Sequence, residues 1–204
     1  MTTIAPRLEP LPIEQWSDDQ RTMLRGRMAS ADRFLVEDGS APRLPNILGL
    51  FAHHPPITGP WLAMSSQMTD ASQLRDRDRE LLILRVSWRA ACAYEWGQHI
   101  RMGRNAGLSE AELGDVAREL DQGTWSDRDR TLLAAADELV ASHRVGDPTW
   151  SQLGHHLDGA QTVELLFVVG SYLALALVLN SAGLAPDPGS DAPLPAPNRP
   201  ESEA

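Results

Sequence analysis

Apolar residues recur along the chain at the three- and four-residue spacing of helices, and no stretch alternates with the period of two that a strand requires. Ser17 with Gln20, and Ser109 with Glu112, have the form of capping boxes, which predicts that helices begin there. Asp76 is predicted to cap a long helix, and further helices are predicted over 46–54, 57–68, 109–120, 147–157 and 165–179, with Pro55-Pro56 breaking 46–54 from 57–68. The predicted fold class is therefore an all-α helical bundle.

The segment 165–179 is apolar on nearly every side. It is shorter than the roughly 20 residues that a membrane span requires, and Ser171 and Tyr172 interrupt it, so we interpret it as a core helix. One small bundle covers only part of such a helix, and self-association is therefore expected. Residues 185–204 are Pro-rich without an apolar period, which predicts a disordered tail after a domain of residues 1–184.

A partial internal repeat links the two halves of the chain. The run 76–82 (DRDRELL) returns at 127–133 (DRDRTLL), and 105–108 (NAGL) has an echo at 181–184 (SAGL). When the Ala-Gly-Leu ends are matched, Val168, Ser171 and Leu175 fall on Cys92, Glu95 and His99. The second copy thus lacks the polar groups of the first, which favours a functional role for them. The matches are short, and a chance origin is the alternative.

The composition excludes several classes of function. A formal net charge of −10 and a pI near 5.0 argue against nucleic acid and anionic membrane as partners, and favour a small-molecule site. All 18 basic residues are Arg, so Schiff-base catalysis and a phosphate-binding P-loop are excluded. The single Cys allows no intrachain disulfide, and the first residues lack the apolar core of a signal peptide, so a cytoplasmic protein is expected.

The candidate chemistry lies between Glu80 and His99. Cys92, Glu95 and His99 follow one another at steps of three and four, so a helix places them on one face. A carboxylate one turn from an imidazole fixes its tautomer, and a thiol near both can lose its proton. The structural alternative is a buried Cys beside an ordinary Glu-His surface pair. The apolar neighbours of Glu80 and Glu95 favour function, because an idle carboxylate there would be costly.

At these residues the chain resembles the carboxymuconolactone decarboxylase family, which includes the alkylhydroperoxidase D-like proteins. Its peroxidase branch has a Glu twelve residues before the first Cys of a C-x-x-C pair, and a His four residues after the second. Glu80, Cys92 and His99 match three of these positions, whereas Glu95 replaces the second Cys, which attacks peroxide in that branch. The Y-E-W-x-x-H form of residues 94–99 resembles a subgroup of the family.

The resemblance implies a trimer-building helical bundle, hence a homotrimer or hexamer. It also implies that the long helix breaks near Ala91, with Cys92 at a new helix start, where the helix dipole would favour a thiolate. Tyr94 and Trp96 of the motif, and His54 of a His-Pro signature, are candidate substrate-binding residues. For His54 the alternative is a structural role at a helix end.

The leading functional hypothesis is an enzyme of proton transfer, a decarboxylase or isomerase, acting on a small carboxylated or carbonyl compound without cofactor or metal. His99 would be the general acid or base, Glu95 would orient it or act as a second acid, and Glu80 would complete the relay. One alternative is a thiol-dependent peroxidase that uses Cys92 alone, and another is a non-catalytic oligomeric binding protein. A metal site at Glu80, Glu95 and His99 is less favoured, because E-x-x-x-H is a common helical pair.

Overall fold

The computed structural model describes residues 6–25, 32–36, 41–190 and 193–195. These residues form nine α-helices and three short 3-10 helices without a β-strand, and the predicted all-α class is confirmed. The helices are α1 (Asp18–Leu24), α2 (Asn46–Phe51), α3 (Pro55–Asp70), α4 (Asp76–Arg89), α5 (Ala93–Asn105), α6 (Glu110–Asp115), α7 (Asp127–Ser142), α8 (Asp147–His156) and α9 (Gly159–Ala182).

Several predicted helix boundaries need correction, and α2 ends at Phe51 while α9 extends beyond both predicted ends. Pro55 and Pro56 occupy the first positions of α3 instead of breaking a helix, because the first turn needs no backbone N–H partner. Arg75, not Asp76, is the N-cap of α4. The helix after Ser109 ends at Asp115, well before Leu120. Both capping boxes are present as predicted.

The chain divides into two compact units, Met1–Ser72 with Ser181–Asp187, and Gln73–Asn180 with Pro188–Ala204. In the first unit α3 packs against α1 and α2. In the second, α4 packs against α5 and α7, and every residue from Asp78 to Trp88 is buried. A helix buried on all sides must satisfy its polar side chains within the protein, and α4 carries both site residues and structural ion pairs.

The predicted repeat appears as a reciprocal pair of salt bridges between α4 and α7. Arg77 contacts Asp129 at 2.6 Å, and Arg128 contacts Asp78 at 2.6 Å. In the repeat, Arg77 corresponds to Arg128 and Asp78 to Asp129. The Arg of each copy therefore contacts the Asp of the other copy. The second match of the repeat, 105–108 with 181–184, has a similar backbone. Gly107 and Gly183 both adopt a positive φ, of 95° and 66°, where glycine is strongly favoured.

A second ion cluster joins the far end of α4 to α7. Asp137 accepts two hydrogen bonds from Arg85 at 2.6 Å each and two from Arg89 at 2.9 Å each. Arg85 also donates to the carbonyls of Val116 and Arg118 and is completely buried. Both guanidinium groups lie over the ring of Trp88. Every nitrogen of the Arg85 guanidinium thus has a hydrogen-bond partner, as a buried charge requires.

Helix α9 has 24 residues, so the argument that it is too short for a membrane is wrong. By length and composition it is the one helix among the described residues that could span a bilayer, a test that core helices of soluble proteins also pass. Val168, Leu175 and Leu179 are buried, and no membrane protein is indicated.

Part of the predicted disordered tail is described. Asp187 accepts a hydrogen bond from the Asn46 backbone at 2.8 Å, and Leu194 packs against the core of the second unit. A Cβ added at Gly97 would lie 2.0 Å from the Ser190 hydroxyl, so glycine permits this close approach. Residues 191, 192 and 196–204 lie outside the described residues, and the disorder of the tail stays a prediction.

Candidate functional site

The candidate site is built at the junction of α4 and α5. Ala90 caps α4, Ala91 adopts a left-handed φ of 51°, and Cys92 is the N-cap of α5. The break therefore falls where it was expected. The chain reverses there, so that Glu80 on α4 meets His99 on α5, 19 residues later.

Glu80 and His99 form the central contact of the site. The Oε2 atom of Glu80 lies 2.7 Å from Nδ1 of His99, and the residues are 3% and 8% exposed. An ionised carboxylate only accepts hydrogen bonds, so Nδ1 then carries the proton and Nε2 is the atom that can exchange one. Tyr172 of α9 packs edge-on against the imidazole, with the ring centres 5.0 Å apart. The ring of His99 is thus held on two sides.

Glu95 lies in a different environment from Glu80. Its Oε2 accepts a long hydrogen bond of 3.4 Å from the Ser87 hydroxyl, and its buried Oε1 has no hydrogen-bond partner among the described residues. Burial raises the pKa of Glu95 to about 8, because it outweighs the opposing effect of the Cys92 thiol and the Ser87 hydroxyl. Near pH 7 Glu95 is therefore mostly a neutral carboxylic acid, which can donate a proton.

Cys92 differs from the sequence-based expectation of an easily deprotonated thiol. The residue is completely buried, and this burial, together with the neighbouring Glu95, raises the pKa of its thiol to about 12. Desolvation disfavours the thiolate more than its position at the start of α5 favours it. Cys92 is a protonated thiol at neutral pH.

The three candidate substrate-binding residues, Tyr94, Trp96 and His54, differ in burial. Trp96 is part of the hydrophobic core of the second unit, and Tyr94 is also buried. His54 is an exposed residue of the first unit and the N-cap of α3. The substrate-binding roles of these three residues stay predictions.

Three side chains next to the candidate residues carry no functional signal in the sequence. Arg79 lies beside Glu80, Ser87 contacts Glu95, and Tyr172 packs on His99. Arg79 was visible only as part of the charged repeat, and Tyr172 only as an interruption of an apolar helix. The Arg79–Glu80 contact lies within α4, whereas the contacts of Ser87 and Tyr172 depend on how α4, α5 and α9 meet.

We expect the buried carboxyl of Glu95 to make the protein less stable as the pH rises. Its pKa is about 8 in the folded protein and near 4.5 when exposed, so the native state holds a proton over this interval that the unfolded chain releases. The free energy of unfolding should fall between pH 5 and pH 8 more steeply for the wild type than for Glu95→Gln. Urea titrations across this range measure both slopes, and equal slopes would contradict the raised pKa.

Comparison with known proteins places the fold. The sequence model of the carboxymuconolactone decarboxylase family matches residues 55–138, which include Glu80, Cys92, Glu95 and His99. A comparison with curated proteins gave no match.

No group of three or more His, Cys, Asp and Glu side chains suited to a metal occurs in the described part of the chain.

Several solved structures share the architecture. One is the alkylhydroperoxidase AhpD core of an uncharacterized peroxidase-related protein from Ralstonia eutropha JMP134. It superposes with a TM-score of 0.73 at 19% sequence identity, and the match covers 92% of this chain and 97% of that chain. A peroxidase-related protein from Silicibacter sp. TM1040 has a TM-score of 0.69 at 18% identity, over 96% and 95%. A debrominase in complex with 2,3,4-tribromopyrrole has a TM-score of 0.69 at 12% identity, over 92% and 95%.

The protein therefore has the all-α fold of the AhpD-like proteins. Within this fold, the match to the carboxymuconolactone decarboxylase family covers less than half of the chain.

Proposed function

We propose that this protein is an enzyme that transfers protons on a small carboxylated or carbonyl compound, in a decarboxylation or an isomerisation. The observation that carries the proposal is the buried Glu80–His99 pair at 2.7 Å, one helical turn from the neutral acid Glu95. Two carboxyl groups in different environments can serve as an orienting anion and as a proton donor. We also propose that the chain belongs to the Y-E-W-x-x-H subgroup of the carboxymuconolactone decarboxylase family. We propose a cytoplasmic location, where its lone thiol stays reduced.

Each site residue has a defined part in this chemistry. Nε2 of His99 removes a proton from the substrate, and Glu80 orients the imidazole and stabilises the imidazolium that forms. In an isomerisation, His99 takes the proton from one carbon, the electrons move onto the carbonyl oxygen, and the imidazolium returns the proton to a different carbon. In a decarboxylation, His99 takes the proton of the carboxyl group, which leaves as CO₂ while the electrons of the broken C–C bond move toward the carbonyl oxygen, and the imidazolium then protonates the carbon that lost CO₂. In both reactions Glu95 donates a proton to the carbonyl oxygen and takes it back when the carbonyl re-forms. This step needs the protonated form of Glu95, which is dominant below pH 8.

The peroxidase alternative is weaker on chemical grounds. A peroxidatic cysteine reacts as its thiolate, whereas Cys92 is buried and its pKa is raised to about 12. Glu95 occupies the place of the second Cys, so the lone Cys92 cannot complete an intramolecular disulfide cycle. A non-catalytic binding protein, the other alternative, gives no reason for a buried Glu80–His99 pair, which costs desolvation energy.

A substrate screen separates the three classes. Wild type and His99→Ala are incubated with small β-keto acids, unsaturated lactones and organic hydroperoxides, and turnover is followed. We expect consumption of a keto acid or lactone that depends on His99. Peroxide turnover alone would support the thiol peroxidase, and silence with all three would support the binding protein.

We also propose that the protein forms a homotrimer, or a hexamer of two trimers, through α9. An apolar stripe on this helix, defined by Val163, Phe167, Leu177 and Val178, remains at least half exposed, with Phe167 at 57% and Leu177 at 63%. Exposed Gly170 and Ala174 continue it at helical spacing. A contiguous apolar face of this kind is typical of an interface. The threefold order rests on the family resemblance.

We expect light scattering after size exclusion to show an oligomer at micromolar concentration. Phe167→Glu places a charge in the stripe and should shift the protein toward monomer. Ile57→Glu is the matched control, because Ile57 is similarly exposed at 64% but lies on α3. A wild-type monomer would contradict the proposal, and a dimer would contradict the threefold order alone.

A further inference from the structure

We propose that Arg79 binds a carboxylate of the substrate, so that the enzyme selects small organic anions over their neutral counterparts. The inference deepens the proposed function and rests on it for the reaction that follows binding. Carboxylate binding at Arg79 is a separate property that can be measured without turnover.

Arg79 is a buried cation with an unused donor. The residue is 7% exposed and lies in the first turn of α4. Its Nη2 contacts Asp76 at 3.0 Å, and its Nε lies 3.9 Å from Oε1 of Glu80. Its Nη1 is buried and has no hydrogen-bond partner among the residues that the structure describes. A charged N–H group left in this state costs free energy, which a bound anion would recover.

The other buried arginine of α4 shows that this chain satisfies a guanidinium where the role is structural. Arg85 is completely buried, and its Nε and Nη2 both donate to Asp137. Its Nη1 donates to the carbonyls of Val116 and Arg118. Arg79 lies less than two turns away on the same helix and lacks such a set of acceptors. The difference identifies Arg79 as a group with capacity for a ligand.

The position of Arg79 connects it to the catalytic pair. Its guanidinium lies beside the Glu80 carboxylate that contacts His99. Tyr172, which packs edge-on against that imidazole, is close enough to be affected by the charges of both Arg79 and Glu80. A carboxylate on Nη1 would therefore hold a small molecule next to the groups that exchange protons.

The chemistry of guanidinium sets the class of ligand. Its fixed N–H geometry matches the oxygens of a carboxylate, and the charge-assisted bond is roughly twice as strong as a neutral one. Pairing with a cation also stabilises a carboxylate against loss as CO₂. The carboxylate on Arg79 is thus one that stays on the product, while the reacting carbon lies beside His99.

Binding of two matched probes tests the inference. Levulinate carries a carboxylate and a ketone, and methyl levulinate is its neutral ester. Isothermal titration calorimetry at pH 7 should show that wild type binds levulinate at least about tenfold more tightly than the ester, as expected for a charge-assisted bond. Arg79→Gln should remove this preference. Equal affinity for acid and ester in the wild type, or no binding of levulinate, would overturn the proposal.

Two further variants serve as controls. Arg104→Gln removes the same charge from an exposed arginine on α5 and should bind levulinate as the wild type does. Arg79→Lys keeps the charge without the planar geometry and should retain part of the preference, which shows an effect of charge even if Arg79→Gln folds poorly. An unchanged preference in folded Arg79→Gln, or equal losses in Arg79→Gln and Arg104→Gln, would refute a role for Arg79.

Turnover assays with wild type and His99→Ala, made beside these binding measurements, separate this inference from the proposed function. Levulinate binding that needs Arg79 but no turnover of any keto acid or lactone would leave the inference standing and remove the proposed function. Turnover that depends on His99 with no role for Arg79 would do the opposite.

Discussion

Replacing His99 with alanine is expected to lower the rate of the enzyme by a factor on the order of 10² to 10⁴, the usual contribution of a general acid or base. The imidazole is the group through which Glu80 acts, and its Nδ1 contact of 2.7 Å is lost in this variant. Cys92→Ser should keep a substantial fraction of the activity, because a buried thiol with a pKa of about 12 takes no part in proton transfer near pH 7.

The comparison is made on kcat/KM for the substrate that emerges from the screen. Glu80→Gln keeps the size of the side chain but removes its charge, so it should reduce the rate less than His99→Ala if its role is to orient the imidazole. Melting temperatures of the three variants show whether each is folded. An inactive Cys92→Ser beside an active His99→Ala would mean that the chemistry belongs to the thiol.

Asp137→Ala is expected to lower the free energy of unfolding by about 3 to 5 kcal/mol, the usual effect of removing one partner from a buried ion pair. Asp137 accepts hydrogen bonds from both Arg85 and Arg89, and the guanidinium of Arg85 would remain completely buried without it. Burial would raise the pKa of Asp137, but hydrogen bonds from Arg89 and Arg85 outweigh it and hold that pKa below its usual value. The pair is thus stable in its ionised form.

Glu119→Ala provides the matched control in the same cluster. Glu119 contacts Arg89 at 2.9 Å, but its side chain is 45% exposed, and exposed pairs contribute about 0 to 1 kcal/mol. Urea unfolding at one fixed protein concentration measures both variants, because self-association would otherwise add to the apparent stability. Similar small losses in the two variants would show that water compensates Arg85 when Asp137 is removed.

Local signals in the sequence were sufficient for much of the helix pattern. Ser17 and Ser109 were correctly predicted to cap α1 and α6, since a capping box depends only on residues within one turn. The break before Cys92, which the family resemblance implies, is present, with Ala91 in a left-handed conformation. The helical spacing of Cys92, Glu95 and His99 likewise placed three reactive groups on one short segment.

Contacts between distant segments could not be derived in this way. The sequence suggested that Glu95 orients His99, because the two lie one turn apart, but the carboxylate on Nδ1 belongs to Glu80. Tyr172 comes from a helix more than 70 residues further along the chain. Which side chain reaches the imidazole depends on how α4, α5 and α9 pack, and residue spacing carries no information about that.

The ionisation of the site was decided by tertiary structure alone. Residue types determined that a thiol, two carboxyl groups and an imidazole are available within 20 residues of sequence, and the helical spacing determined that both carboxyl groups and the imidazole lie on helices. Folding then paired Glu80 with His99, left one oxygen of Glu95 without a partner, and removed Cys92 from water. The raised pKa values of Glu95 and Cys92 follow mainly from desolvation, which is a property of everything packed around a group and not of its neighbours in sequence.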